Sequence, residues 1–93
     1  GDRMIRVNED YVVDVDKLCY TAKIDKHKQD KKGNDIYEVV GYYGTLGEAL
    51  GGIVRSMKRN RLSEGTHTLR EAIQIIDESN AYLKDLLEEK VAE

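Results

Sequence analysis

Between Val39 and Leu50 the chain changes hydrophobic period with no loop in between. Up to Tyr43 the apolar residues follow a two-residue repeat. From Leu46 they follow a helical one, with Leu46, Leu50, Ile53 and Met57 on one stripe and Ala49 and Val54 beside it. A two-residue period places alternate side chains on opposite faces of a strand, and a period near 3.6 gathers them on one side of a helix. Thr45 stands where the period changes. It is a good N-cap, and Glu48 three residues later completes a capping box. The chain is therefore expected to be sheet before this junction and helix after it.

Before the junction, Ile5 and Val7 suggest a short strand ahead of the turn-prone Asn8-Glu9-Asp10. Tyr11, Val13 and Val15 then share one face and Val12, Asp14 and Asp16 the other, so the aspartates mark the second face as the solvent side. Asp16-Lys17 is a tight connection. Leu18, Tyr20, Ala22 and Ile24 form the next apolar face, opposed by Cys19, Thr21, Lys23 and Asp25. His27 to Asp35 is polar and contains Gly33-Asn34-Asp35, which reads as an exposed hairpin loop. From Ile36 to Tyr43 both faces are apolar: Ile36, Val40 and Tyr42 on one, Tyr37, Val39 and Tyr43 on the other. That pattern suits a central strand, or one covered on both sides.

After the junction, the first helix is expected to reach about Asn60. Gly47, Gly51 and Gly52 inside it each cost roughly 1 kcal/mol against Ala. Gly47 and Gly51 share a face, which points to close backbone approach, most simply to the sheet, with an approaching ligand as the alternative. Gly65 marks a turn, and Thr68 with Glu71 repeats the capping signal. The second helix runs from about Leu69 to Lys90. Leu69, Ile73, Ile76, Asn80, Leu83 and Leu87 step 4, 3, 4, 3, 4, a heptad seam with Asn80 at an inner position. Ala72, Ile75, Tyr82 and Leu86 form a flanking stripe. Seam and stripe together exceed what a small sheet can cover. The expectation is a homodimer or higher homo-oligomer with Ile73, Ile76, Asn80, Leu83 and Leu87 at the interface.

The expected fold is α+β: a three- or four-stranded antiparallel β-meander followed by two α-helices packed on one face, the second a long C-terminal amphipathic helix. At 93 residues there is room for one modest core, so a single domain over residues 4–93 is expected. Met4 reads as the natural start, which makes Gly1-Asp2-Arg3 a cloning remnant. No apolar run approaches the roughly 18 residues of a membrane span, so no membrane partner is expected. One cysteine, Cys19, excludes an internal disulfide, and with His27 and His67 it lacks a zinc-site spacing, so neither metal nor cofactor is expected.

Candidate chemistry is sparse. Asp10, Asp14, Asp16 and Asp25 lack the spacing of a calcium loop and read as a solvated strand face. Arg55, Lys58, Arg59 and Arg61 crowd the end of the first helix, where cations favour the macrodipole. Together with Lys23, Lys26, Lys28, Lys31 and Lys32 they make two basic clusters on a chain of net charge -3. A phosphate-bearing ligand, nucleotide or nucleic acid, is the functional alternative. It would engage Arg55, Lys58, Arg59 and Arg61 and the glycine-rich helix start at Tyr43, Gly44 and Thr45. That start lacks the Lys-Ser/Thr of a P-loop. Cys19 and His27 come with no nucleophile or metal motif, so no catalytic residue is assigned and the protein is expected not to be an enzyme.

The order Met4-Ile5-Arg6-Val7-Asn8, Tyr11-Val12-Val13-Asp14, Leu18-Cys19-Tyr20, a Lys/Gly loop, and Gly41-Tyr42-Tyr43-x-x-Leu46 opening a helix resembles a group of small phage and prophage proteins of unknown function. The resemblance spans most of residues 4–90 and is most specific at Gly-Tyr-Tyr-x-x-Leu. It supplies no catalytic residue. It implies the bacterial host cytoplasm and an accessory role. By analogy with other small, acidic, non-enzymatic phage proteins it implies an inhibitor of a bacterial anti-phage defence system, acting on an effector protein or sequestering a nucleotide signal. A nucleic-acid-binding factor in phage replication or transcription is the alternative.

Overall fold

The computed structural model describes residues 3–92, and side chains through Glu89. Gly1 and Asp2 of the expected remnant lie outside the described residues, as does Glu93 at the end of the expected domain. Arg3 is not idle: its carbonyl accepts the Val15 amide at 2.9 Å, one step beyond the first strand pair. The chain forms β1 (Met4–Arg6), β2 (Tyr11–Val15), β3 (Tyr20–Gln29), β4 (Asp35–Tyr43), α1 (Leu46–Ser63) and α2 (Leu69–Ala92). It divides into two compact units, Gly1–Ala49 and Leu50–Glu93.

The first unit is a four-stranded antiparallel meander in the order β1-β2-β3-β4. Each hairpin turn is opened by an Asn or Asp side chain that takes the backbone amides of the turn. Asn8 Oδ1 accepts from Asp10 and Tyr11, Asp16 Oδ1 from Leu18 and Cys19, and Asp30 Oδ1 from Lys32 and Asn34. These bonds hold the Asp16 carboxyl below its usual range, through Cys19 and then Leu18, and the Asp30 carboxyl likewise, through Asn34 and then Lys32. Gly33 supplies the positive φ, 83°, that closes the third turn.

The sheet differs from the expected pattern in loop length, in burial and in strand order. The β3–β4 loop is shorter than expected, because β3 continues to Gln29, which pairs with Asp35. His27, at φ 57°, sits in a register shift between Asp25 and Gln29 that carries the strand past the polar residues. Val12 is only 1% exposed although it lies on the face marked by aspartates. Its cross-strand neighbours are Arg6 and Lys23, whose heads are tied to Asp25 and Asp14 at 2.9 and 3.1 Å. Their aliphatic stems flank the valine while the charges stay in water. Finally, β4 is an edge strand, not a central one.

Both helices begin at the expected threonines. Thr68 and Glu71 form the full reciprocal box: the Glu71 amide donates to Thr68 Oγ1 at 3.1 Å and the Thr68 amide to Glu71 Oε1 at 3.0 Å. The latter bond, first among its causes, lowers the Glu71 pKa. Gly65, at φ 82°, follows the end of α1 in the left-handed conformation that terminates helices. In α1, Ala49, Leu50, Ile53 and Val54 are buried. Gly51 is not a point of close backbone approach, since an added Cβ would meet Arg55 Nη1 at 3.5 Å, an ordinary contact. In α2 the buried line is Ile75 and Ser79, with Ala72, Tyr82 and Leu86 half-buried beside them. Ser79 satisfies its hydroxyl by donating to the Ile75 carbonyl at 2.7 Å.

Candidate functional site

The β4 strand carries the most distinctive surface of the first unit, and a bulge creates it. Ala22 pairs with Gly41 and Lys23 with Val39, so Val40 is an extra residue on β4. Beyond the bulge the facing is inverted. Thr21 pairs with Tyr42, Lys23 with Val39 and Asp25 with Tyr37. Because directly opposed residues share a face, Tyr37, Val39 and Tyr42 lie on one side. Plain alternation put Tyr42 on the other side from Tyr37 and Val39, and Tyr43 with them. Tyr42 is 69% exposed and Val39 45%, so the strip is an apolar, aromatic surface on an edge strand. Aromatic residues on exposed strips are characteristic of protein interfaces. The Lys23 ammonium stands 5.9 Å from the Tyr37 ring centroid at the end of this strip.

The opposite face at the junction is closed on itself. The Tyr43 ring folds back over Gly41, and a Cβ there would lie 2.7 Å from the Tyr43 hydroxyl oxygen and 2.9 Å from Cζ. Gly41 is thus a glycine whose missing side chain the fold uses, the role that the sequence pattern suggests for the helix glycines. Tyr43 is half-buried, and Gly44 and Thr45 are exposed. Thr45 Oγ1 accepts the Glu48 amide at 3.1 Å and donates to Glu48 Oε1 at 2.9 Å. The Glu48 carboxylate also lies 3.7 Å from where a Gly44 Cβ would be. A negative charge of the chain's own therefore occupies this helix start, which disfavours a phosphate at Gly44 and Thr45.

The second unit holds the basic residues. Arg55, Arg59 and Arg61 are exposed and Lys58 is half-buried. Arg61 is already committed: its Nη1 donates to Glu78 Oε2 at 2.9 Å, while Gln74 donates to Glu78 Oε1 at 3.1 Å. Arg61 and then Gln74 hold the Glu78 carboxyl below its usual range. His67 Nε2 meets the Arg61 carbonyl at 3.1 Å. An open depression of about 260 Å³ is lined by Arg61, His67 and Gln74 with Glu71 and Glu78, so its charge is mixed and selects no anion. Arg55 and Arg59, one helical turn apart, are the cations of this helix best placed for an outside partner.

Of the seam residues on α2, Leu69, Ile73 and Ile76 are exposed at 77%, 48% and 37%. Asn80 is exposed too, and Leu83 and Leu87 are half-buried.

One polar cluster was not foreseen. His27 Nε2 lies 2.9 Å from Asp10 Oδ1, and its Nδ1 lies 3.8 Å from Asp25 Oδ1. Asp25 also accepts from Arg6 Nη2 and from the His27 amide. The hydrogen bond to Asp10 raises the His27 pKa, with a further contribution from the Asp25 charge. The His27 amide, followed by Arg6, lowers that of Asp25. These groups meet through the β1–β2–β3 register, which no local pattern signals. The aspartates read as a solvated face are thus mostly engaged, Asp14 with Lys23, Asp25 with Arg6 and Asp10 with His27. Among the described residues, no group of three His, Cys, Asp or Glu could hold a metal ion. Cys19 contacts Asp16 and Thr21 near the β2–β3 turn, while His27 lies toward the other end of β3, so the two do not form a nucleophile pair.

No helix of the described residues is long and apolar enough to cross a membrane. No family model, curated protein or solved structure matches the chain.

Proposed function

We propose that this is a non-enzymatic, phage-type accessory protein that inhibits a bacterial anti-phage defence system by binding an effector protein, and that it works in the host cytoplasm as a homodimer or larger homo-oligomer. The observation that carries the choice of a protein partner is the exposed Tyr42–Val39 strip beside the Gly-Tyr-Tyr-x-x-Leu junction. A tyrosine this exposed on a sheet edge contributes contact area at low entropic cost when a partner covers it. Sequestration of a nucleotide signal is the weaker form of the proposal, because Glu48 already caps the helix start where a phosphate would sit.

The test is a phage challenge of cells carrying one defence system at a time, with and without this protein. Restored phage growth in at least one system supports the proposal. Tyr42→Ala and Val39→Asp should each abolish that rescue while leaving the far-UV circular dichroism unchanged. Absence of rescue across a broad set of defence systems would remove the proposal.

A second reading rests on the β3–β4 hairpin. Lys28, Lys31 and Lys32 are exposed, and among the described residues none of them joins an ion pair. In this reading the protein is a nucleic-acid-binding factor in phage replication or transcription, with these lysines on phosphates. Its affinity would then fall steeply with salt. A mobility-shift titration at low salt that leaves DNA and RNA unshifted excludes it.

A further inference from the structure

We propose that the N-terminal half of α2, Leu69–Asn80, is a self-association face on which a second copy of this chain lies antiparallel, with Arg70 of each copy against the partner's Asp77. This rests on the homo-oligomer proposed above and specifies its face, direction and register.

The exposure pattern sets the face. Along the seam, the exposed positions are Leu69, Ile73, Ile76 and Asn80, whereas Leu83 and Leu87 are half-buried. The apolar surface left open thus ends at Asn80, the one polar member of the seam. An antiparallel arrangement with its two-fold axis level with Gln74 and Ile75 sets Ile73 against the partner's Ile76, and Leu69 against the partner's Asn80. The amide then lies at the wet end of the contact, where water satisfies it, and is not buried unpaired.

Charge selects among registers. The column beside the seam carries Arg70, Asp77 and Lys84, all exposed. Among the described residues neither Arg70 nor Asp77 joins an ion pair. They cannot reach each other within one chain, since seven residues of helix separate them by about 10.5 Å. Across this two-fold axis they meet twice, Arg70 with the partner's Asp77 and Asp77 with the partner's Arg70. An antiparallel register one heptad longer would set Arg70 against the partner's Lys84 and Asp77 against its own copy, like against like. A parallel pair would face this column with Ala72, Ser79 and Leu86, giving no charge pairing. On the other flank Ala72 is half-buried and Ser79 is buried, so that side of the helix is already covered and the contact runs along the seam and the Arg70 column.

Sedimentation equilibrium of the whole chain tests the charges. Arg70→Glu and Asp77→Arg should each weaken the dimer by roughly tenfold, because each turns two attractions into two repulsions. The double variant Arg70→Glu/Asp77→Arg should return to within about threefold of the parent. Both positions of the test are on the surface, and circular dichroism checks that the three variants fold. Disulfide trapping tests the direction in a Cys19→Ser background. Leu69→Cys mixed with Asn80→Cys should give a mixed disulfide, whereas Leu69→Cys alone should not, because its two copies would be eleven residues apart along the seam. A dimer with insensitive charges, or one trapped by Leu69→Cys alone, overturns the face or the direction but leaves homo-oligomerisation standing. A chain that remains monomeric at about millimolar concentration overturns both.

Discussion

Replacing Gly41 by Ala tests the strand-to-helix junction in the most specific way. Gly41 is not among the positive-φ glycines, so alanine is permitted by the backbone, and relieving glycine's excess freedom in a strand should stabilise by about 0.5–1 kcal/mol. The new methyl, however, would stand 2.7 Å from the Tyr43 hydroxyl oxygen, 2.9 Å from Cζ and 3.1 Å from Cε2. The ring must lift. Overpacking costs about 1–3 kcal/mol, and the lower half of that range applies because the obstacle is the outer end of a half-buried side chain, not backbone. The net expectation is a loss of about 1 kcal/mol, or a fall in Tm of about 4–8 °C for a domain of this size. In a Tyr43→Ala background the obstacle is gone. The same Gly41→Ala change should then stabilise by about 0.5 kcal/mol, giving a coupling near 1.5 kcal/mol. Urea unfolding of the four proteins, followed by circular dichroism, measures it. If Gly41→Ala has the same sign and size in both backgrounds, the ring is not what makes glycine necessary and the account of this junction is wrong.

Val12→Ala should cost about 2 kcal/mol in urea unfolding, because the residue is 1% exposed; a change near zero would mean that the Arg6 and Lys23 stems do not cover it. Thr68→Ala should cost about 1 kcal/mol and lower amide protection in the first turn of α2, as read by hydrogen exchange. For His27 the folded pKa is raised above the ordinary 6.5, chiefly by Asp10. Its protonated form therefore stabilises the fold fully below 6.5, and that contribution is lost as pH rises through the folded value. The stability gap between the parent and His27→Gln should be widest in mild acid and close toward alkaline pH. An NMR titration of the imidazole giving a pKa at or below 6.5 would contradict the Asp10 contact.

Much of the architecture was legible locally. The change of period at Thr45, the two Thr-x-x-Glu caps and the turn at Gly33 each depend on residues within a few positions of one another, and each appears where the pattern placed it. Strand existence follows from the same short-range alternation. The turn-opening roles of Asp16 and Asp30 are local too, and an Asx pattern could have found them. The His27 cluster had no such signal, since Asp10 and His27 become neighbours only when β2 pairs with β3.

What tertiary structure decided was facing and neighbourhood. A single extra residue, Val40, moves Tyr42 onto the side of Tyr37 and Val39, because every side chain past a bulge changes face. Strand order makes β4 an edge, although its two apolar faces read equally well as a centre. In α2 the pattern contained two apolar lines at equivalent spacing, and only the folded chain buries Ile75 and Ser79 while leaving Leu69, Ile73 and Ile76 open. Periodicity is a property of one segment and survives in the unfolded sequence. Which face is covered depends on residues far away in the chain, and is settled only when those residues arrive.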